Sequence, residues 1–177
     1  MGTINYGTSD YITLGIKPYD TDDFRNDKDF MKFIENEWNV DLSDDTQVLD
    51  AIYDEINDLY DCDRMNAQVI IDKYTLNYFK VTIEPGYYEG LYIDISLENA
   101  AFNDYKEKLD AQKEVTRIKS MMIDLAGCGY NSVYPGWCTT YHDYKTTLRH
   151  IKEAIKEMRA DVKGTPTWKN YKPFYQV

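Results

Sequence analysis

A chain of 177 residues, 43% of them hydrophobic, has the material for one packed domain and needs neither a disulfide nor a metal to fold. Its formal charge of −11 excludes holding a nucleic-acid duplex or an anionic membrane through the overall field, and favours basic protein partners. No basic region leads into an apolar run at the N-terminus, and no stretch reaches the ~18 apolar residues of a membrane span, so a cytoplasmic protein is expected.

Met1-Gly2 opens like a myristoylation site, but Tyr6 stands where that motif takes Ser or Thr. Cys62, Cys128 and Cys138 are odd in number and unrelated in spacing, which points to thiols in a reducing compartment. The 17 tyrosines suit half-buried strand faces, where an apolar ring with a polar tip packs well.

In chain order, Ile12, Leu14 and Ile16 alternate with Tyr11, Thr13 and Gly15, the period of a half-buried strand that Pro18 ends. Thr21 or Asp22 is placed to cap a helix over 22–38, with Phe30, Phe33, Ile34 and Trp38 on its apolar side. Ser43 is placed to cap a second helix over 44–61, with Val48, Ile52, Ile56 and Leu59 as its core stripe. A hairpin follows: Phe79, Val81 and Ile83, a turn opened by Glu84-Pro85-Gly86, then Leu91, Ile93, Ile95 and Leu97. A longer helix over 102–126 carries Leu109, Ile118, Met122 and Leu125, with Gly127 as its terminator. Tyr134-Pro135-Gly136-Trp137 reads as a turn between short strands. The last helix, over 142–161, has Tyr144, Leu148, Ile151, Ile155 and Met158 at 4-3-4-3 spacing before Gly164 and Pro166 stop it. The aromatic tail from Trp168 to Val177 is expected to dock. The order β-α-α-β-β-α-β-α predicts an α+β fold: a small antiparallel sheet packed by about four helices on one face, a single domain over 1–177.

Charge is unevenly placed. Residues 20–63 hold 16 Asp or Glu against Arg25, Lys28 and Lys32, a net of −13. Within the second helix Asp50, Asp54, Asp58 and Asp61 fall on one face, where like charges at i,i+4 cost ~0.2–0.5 kcal/mol per pair. Asp58 and Asp61 also fall near the expected C-terminus, where the macrodipole disfavours anions, whereas Asp44 and Asp45 sit at the favoured end. Such a breach of local rules leaves two readings, a solvated acidic face retained for solubility or a candidate partner-binding surface, with Asp22, Asp23 and Asp27, together with Asp29, Glu35 and Glu37, as a second row. The last helix has the opposite character. Lys145, Arg149, Lys152, Lys156, Arg159 and Lys163 form a basic flank beside the apolar seam, a snorkelling face of which Arg149, Lys152, Lys156 and Arg159 are candidate RNA contacts.

Residues with catalytic or metal chemistry do not form a recognisable set. Cys128, Cys138 and His142 at C-x9-C-x3-H match no standard zinc site, and a Cys138–His142 nucleophile pair is no better specified. His142, Asp143 and His150, with Glu153 or Asp124, contain the residue types of a metal-dependent phosphodiesterase. Acids are so abundant that such sets arise by chance, so no catalytic residue, metal ligand or cofactor is assigned. Gly127-Cys128-Gly129 reads as a helix cap.

The opening Tyr6-Gly7-Thr8-Ser9-Asp10-Tyr11-Ile12-Thr13-Leu14-Gly15 resembles a signature, Y-x-T-S-x-Y-I-T-x-G, of small proteins from plasmids and phages of Firmicutes. Several proteins of those neighbourhoods resemble anti-CRISPR inhibitors of the type II effector nuclease. The resemblance covers about 16 residues and implies a counter-defence protein acting in the host cytoplasm on a CRISPR effector ribonucleoprotein. The expectation is an inhibitor that binds through an acidic, nucleic-acid-mimicking surface. The alternatives are an enzyme that cleaves guide RNA and a regulatory interaction protein of the mobile element.

Overall fold

The computed structural model describes residues 11–85, 90–135 and 140–168. Strands β1 (Tyr11–Ile16), β2 (Phe79–Pro85), β3 (Leu91–Leu97) and β4 (Ser132–Pro135) form one antiparallel sheet in the spatial order β2-β3-β1-β4. The register follows from the alternation. Ile12, Leu14 and Ile16 lie opposite Ile95, Ile93 and Leu91 of β3, and Val81 and Ile83 of β2 lie opposite Ile95 and Ile93. A one-residue slip would turn every one of these apolar side chains to the other face. That face shares a core with Val115, Ile118, Met121, Met122 and Leu125 of α4 (Tyr105–Gly127) and with Ile151, Ile155 and Met158 of α5 (Tyr144–Gly164). On the opposite face Thr13 is buried and donates to Asp94 at 2.8 Å; burial pushes the Asp94 carboxyl up.

The acidic stretch folds differently from the expectation. A single helix over 22–38 is replaced by α1 (Thr21–Arg25) and α2 (Lys28–Glu37). The break falls at Asp27, whose backbone is extended and whose carboxylate accepts from the N–H groups of Asp29 and Phe30. An aspartate that satisfies the first N–H groups of a following helix outcompetes continuation of the preceding one. The cap of α1 is Asp20, not Thr21 or Asp22, and the cap of α3 (Asp45–Ile71) is Asp44, not Ser43. Ser43 is occupied elsewhere: its N–H and hydroxyl both donate to Asp41 Oδ1.

Helix α3 has 27 residues, ten beyond the expected end. Its first half buries Val48, Ile52 and Ile56 against Tyr19, Phe24, Phe30, Met31 and Val40, a small core separate from the sheet's. Its second half sends Ala67 and Ile70 into the main core, and Tyr60 packs against both. The acidic stretch is thus a three-helix unit with its own apolar centre. Because α2 buries only Ile34, Phe33 and Trp38 stay exposed, against the expected apolar side; so do Leu109 of α4 and Tyr144 of α5.

Helix α4 ends at Gly127, but the glycine that the turn requires is Gly129, at φ +99. The Gly129 N–H bonds Ala126 O and the Tyr130 N–H bonds Leu125 O, at 3.1 and 3.2 Å, a Schellman motif with buried Tyr130 following. A Cβ on Gly129 would sit 3.6 Å from Ile16, an ordinary contact. Gly129→Ala is therefore expected to lose only conformational energy, about 1–2 kcal/mol, lowering Tm by roughly 3–6 °C. Gly127→Ala, with nothing near its added Cβ, is the control and should leave Tm unchanged or raise it. After α5, Phe102 clamps the chain: its N–H bonds Pro166 O and its carbonyl accepts from Trp168 N–H. Of the turns expected to open at Glu84 and at Tyr134, Glu84 and Pro85 belong to β2 and Tyr134 and Pro135 to β4; the rest of both turns and the tail beyond Trp168 lie outside the described residues.

Candidate partner-binding surface

An α-helix rises 1.5 Å per residue, so Asp50 to Asp61 extends along about 16 Å of α3. All four aspartates of the stripe are exposed. With α3 continuing to Ile71, Asp58 and Asp61 are interior positions, and the macrodipole cost expected for them does not arise.

The nine candidate acids divide by what else they do. Asp27 and Asp44 are caps. Asp22 and Asp23 lie exposed in the first turn of α1, where anions are favoured. Asp45 pairs with Arg25 at 2.7 Å, tying α1 to the start of α3, and Asp61 pairs with Arg64 at 3.4 Å. Among the described residues, Asp50, Asp54 and Asp58 have neither a cation nor a hydrogen-bond donor beside them. Caps, first-turn positions and ion pairs account for the other six and not for these three.

One acid of the stretch turns inward. Asp63 accepts from the Tyr19 hydroxyl at 2.7 Å, and its carbonyl accepts from the Tyr130 hydroxyl at 2.9 Å. The Tyr60 hydroxyl accepts from Tyr19 N–H at 3.1 Å, with the two rings edge-on at 5.0 Å. Burial raises both Tyr19 and Tyr130, and for Tyr19 the Asp63 bond adds to it, so both phenols remain neutral donors. This network ties α3 to the chain that follows β1 and to the chain that precedes β4.

The basic flank lies elsewhere. Arg149, Lys152 and Lys156 are exposed on α5, while Arg159 reaches Thr116 Oγ1 on α4 at 3.4 Å. Among the described residues no ion pair joins α5 to the three-helix unit.

The candidate chemistry is only partly assembled. His142 and His150 meet edge-to-face, ring centroids 4.7 Å apart. Asp143 caps α5, and its bond from Thr146 N–H holds its carboxyl below the usual range. Cys128 is exposed at the end of α4, and Cys138 lies outside the described residues. Among the described residues no group of three or more His, Cys, Asp or Glu is arranged to hold a metal. No helix there is long and apolar enough to cross a membrane.

Sequence reasoning passed over Glu114, a fully buried carboxylate of α4. It accepts from three successive backbone N–H groups, those of Asn77, Tyr78 and Phe79, at 2.9–3.0 Å. Its signal was present: it stands between Ala111 and Ile118, inside the apolar stripe of α4.

No protein-family model matches the chain, and neither does any curated protein or solved structure.

Proposed function

We propose that the protein is a binding inhibitor whose acidic three-helix unit occupies a positively charged nucleic-acid groove of a partner protein. The observation that carries this reading is the row Asp50, Asp54, Asp58: three exposed carboxylates at i,i+4 spacing, mutually repulsive and uncompensated by any ion pair among the described residues. Successive acids are ~6 Å apart along the helix, against ~3.4 Å of axis per phosphate on one DNA strand, so the row carries about half the charge density of one strand.

The likeness of residues 6–15 to mobile-element anti-CRISPR proteins directs the choice of partner to a type II CRISPR effector ribonucleoprotein. Such effectors hold the guide–target heteroduplex in a positive channel. Opposite fields would speed the encounter and make it fall steeply with ionic strength. The test is a target-cleavage assay with labelled guide, run at low and high salt. Inhibition near one-to-one stoichiometry, an intact guide and marked weakening at high salt are expected. A shortened guide would place the protein among enzymes instead, and His142 and His150 would be the first residues to substitute. No inhibition under any condition, with a different basic protein captured, would move it to the regulatory class.

A further inference from the structure

Trp38 is a large aromatic residue that the fold holds partly in solvent. Its N–H and that of Val40 both bond the Ile34 carbonyl at 3.1 Å, with Asn39 between them in the left-handed region at φ 54. Its ring stands edge-on to Phe30, centroids 6.5 Å apart, and to Phe33 at 5.5 Å. Phe30 packs on the small core of the three-helix unit, which ties the indole to that core. Trp38 nonetheless keeps 40% and Phe33 46% of its surface exposed. Close in the chain stand the exposed carboxylates of Glu35, Glu37 and Asp41, and bonds from Ser43 hold Asp41 below the usual carboxylate range.

We propose that Trp38, with Phe33 beside it, seats an arginine side chain of the basic partner. The inference rests on the reading of the acidic unit as a nucleic-acid mimic and deepens it. A nucleic acid offers a groove phosphate charge and, where its bases are unstacked, base faces on which guanidinium planes stack. The unit has carboxylates for the first and a held indole for the second. Arginine suits the site better than lysine, because its planar and weakly hydrated cation stacks on an aromatic face while still donating to a carboxylate. An apolar occupant would leave the negative charge of Glu35, Glu37 and Asp41, close by in the chain, unanswered.

The test titrates the intact protein with nona-arginine and nona-lysine peptides by calorimetry. Indole N–H signals are followed by NMR, that of Trp38 being assigned by its loss in Trp38→Phe. Nona-arginine is expected to bind about two- to fivefold tighter than nona-lysine and to shift the Trp38 signal. Trp38→Ala should abolish that preference with nona-lysine affinity unchanged. Phe33→Ala, at an exposed position, should reduce it without touching the small core. The triple variant Asp50→Asn, Asp54→Asn, Asp58→Asn should weaken both peptides and keep the preference. Equal affinities, or a preference that survives both aromatic variants, would overturn the arginine seat and leave acidic docking intact. Failure of both peptides to bind would overturn the two readings together. A Trp38 signal that shifts on diluting the protein alone would place a second copy on the site and likewise reject the proposal.

Discussion

Glu114→Ala should lower the unfolding midpoint by about 10 °C, the largest stability effect expected of any single substitution outside the apolar core. The carboxylate is the acceptor for Asn77, Tyr78 and Phe79 N–H at the entry to β2, an edge strand with a neighbour on one side only. Hydrogen bonds to a charged acceptor are worth ~1.5–3 kcal/mol each, and donors orphaned in a buried place carry the full desolvation cost. Because two of the three donors are only part-buried, a loss of about 3–5 kcal/mol is expected, at roughly 2–4 °C per kcal/mol for a chain of this length. Glu114→Gln should lose about half as much. Tyr78 and Phe79 share Oε1, which an amide oxygen can replace, but the amide NH2 would then face the Asn77 N–H. Arg117 lies 3.7 Å from the carboxylate and is itself half in solvent, so Arg117→Ala should change stability by under ~0.5 kcal/mol. Urea and thermal unfolding followed by far-UV circular dichroism decide the matter. If Glu114→Ala unfolds with the wild type, β2 is held by its pairing with β3 alone.

The same carboxylate shows where sequence reasoning stops. Alternation at Ile12, Leu14 and Ile16, and again through Leu91 to Leu97, sufficed for these strands and for which face they bury, and the short turn for the β2–β3 hairpin; the place of β1 between β3 and β4 was not legible. The α5 seam was legible from its apolar spacing at period 3.6. Helix ends were not, since a cap depends on which of several neighbouring oxygens reaches the first N–H groups. In Thr-Ser-Asp-rich stretches the sequence offers more caps than the backbone uses, and Asp20, Asp27 and Asp44 took the places. The length of α3 was hidden by Asp61-Cys62-Asp63-Arg64, which interrupts the apolar stripe just where the helix passes from its own small core to the main one. Net charge in the acidic stretch was readable from composition. Which acids were already engaged was not, because caps, the Arg25–Asp45 pair and the Tyr19–Asp63 bond are made between segments that only the fold brings together.

Replacing Asp50, Asp54 and Asp58 together by asparagine should therefore produce effects of opposite sign: a more stable protein that no longer inhibits. Asn and Asp have similar helix propensity, so the substitution leaves the backbone preference almost unchanged. It removes two i,i+4 like-charge contacts, worth about 0.5–1 kcal/mol in sum, and Tm should rise by roughly 2 °C. Affinity for the basic partner should fall about 100-fold or more, mainly through slower association, with a shallower dependence on salt. The capping aspartates supply the contrast. Asp27→Ala or Asp44→Ala removes an acceptor that the fold uses, so each should cost ~1 kcal/mol of stability while a folded variant retains most of its affinity. Acid kept only for solubility would behave otherwise: the triple variant would gain its small increment of stability and inhibit as before. Such an outcome would remove Asp50, Asp54 and Asp58 from the binding surface, because no bond within the fold then explains them and no partner does either.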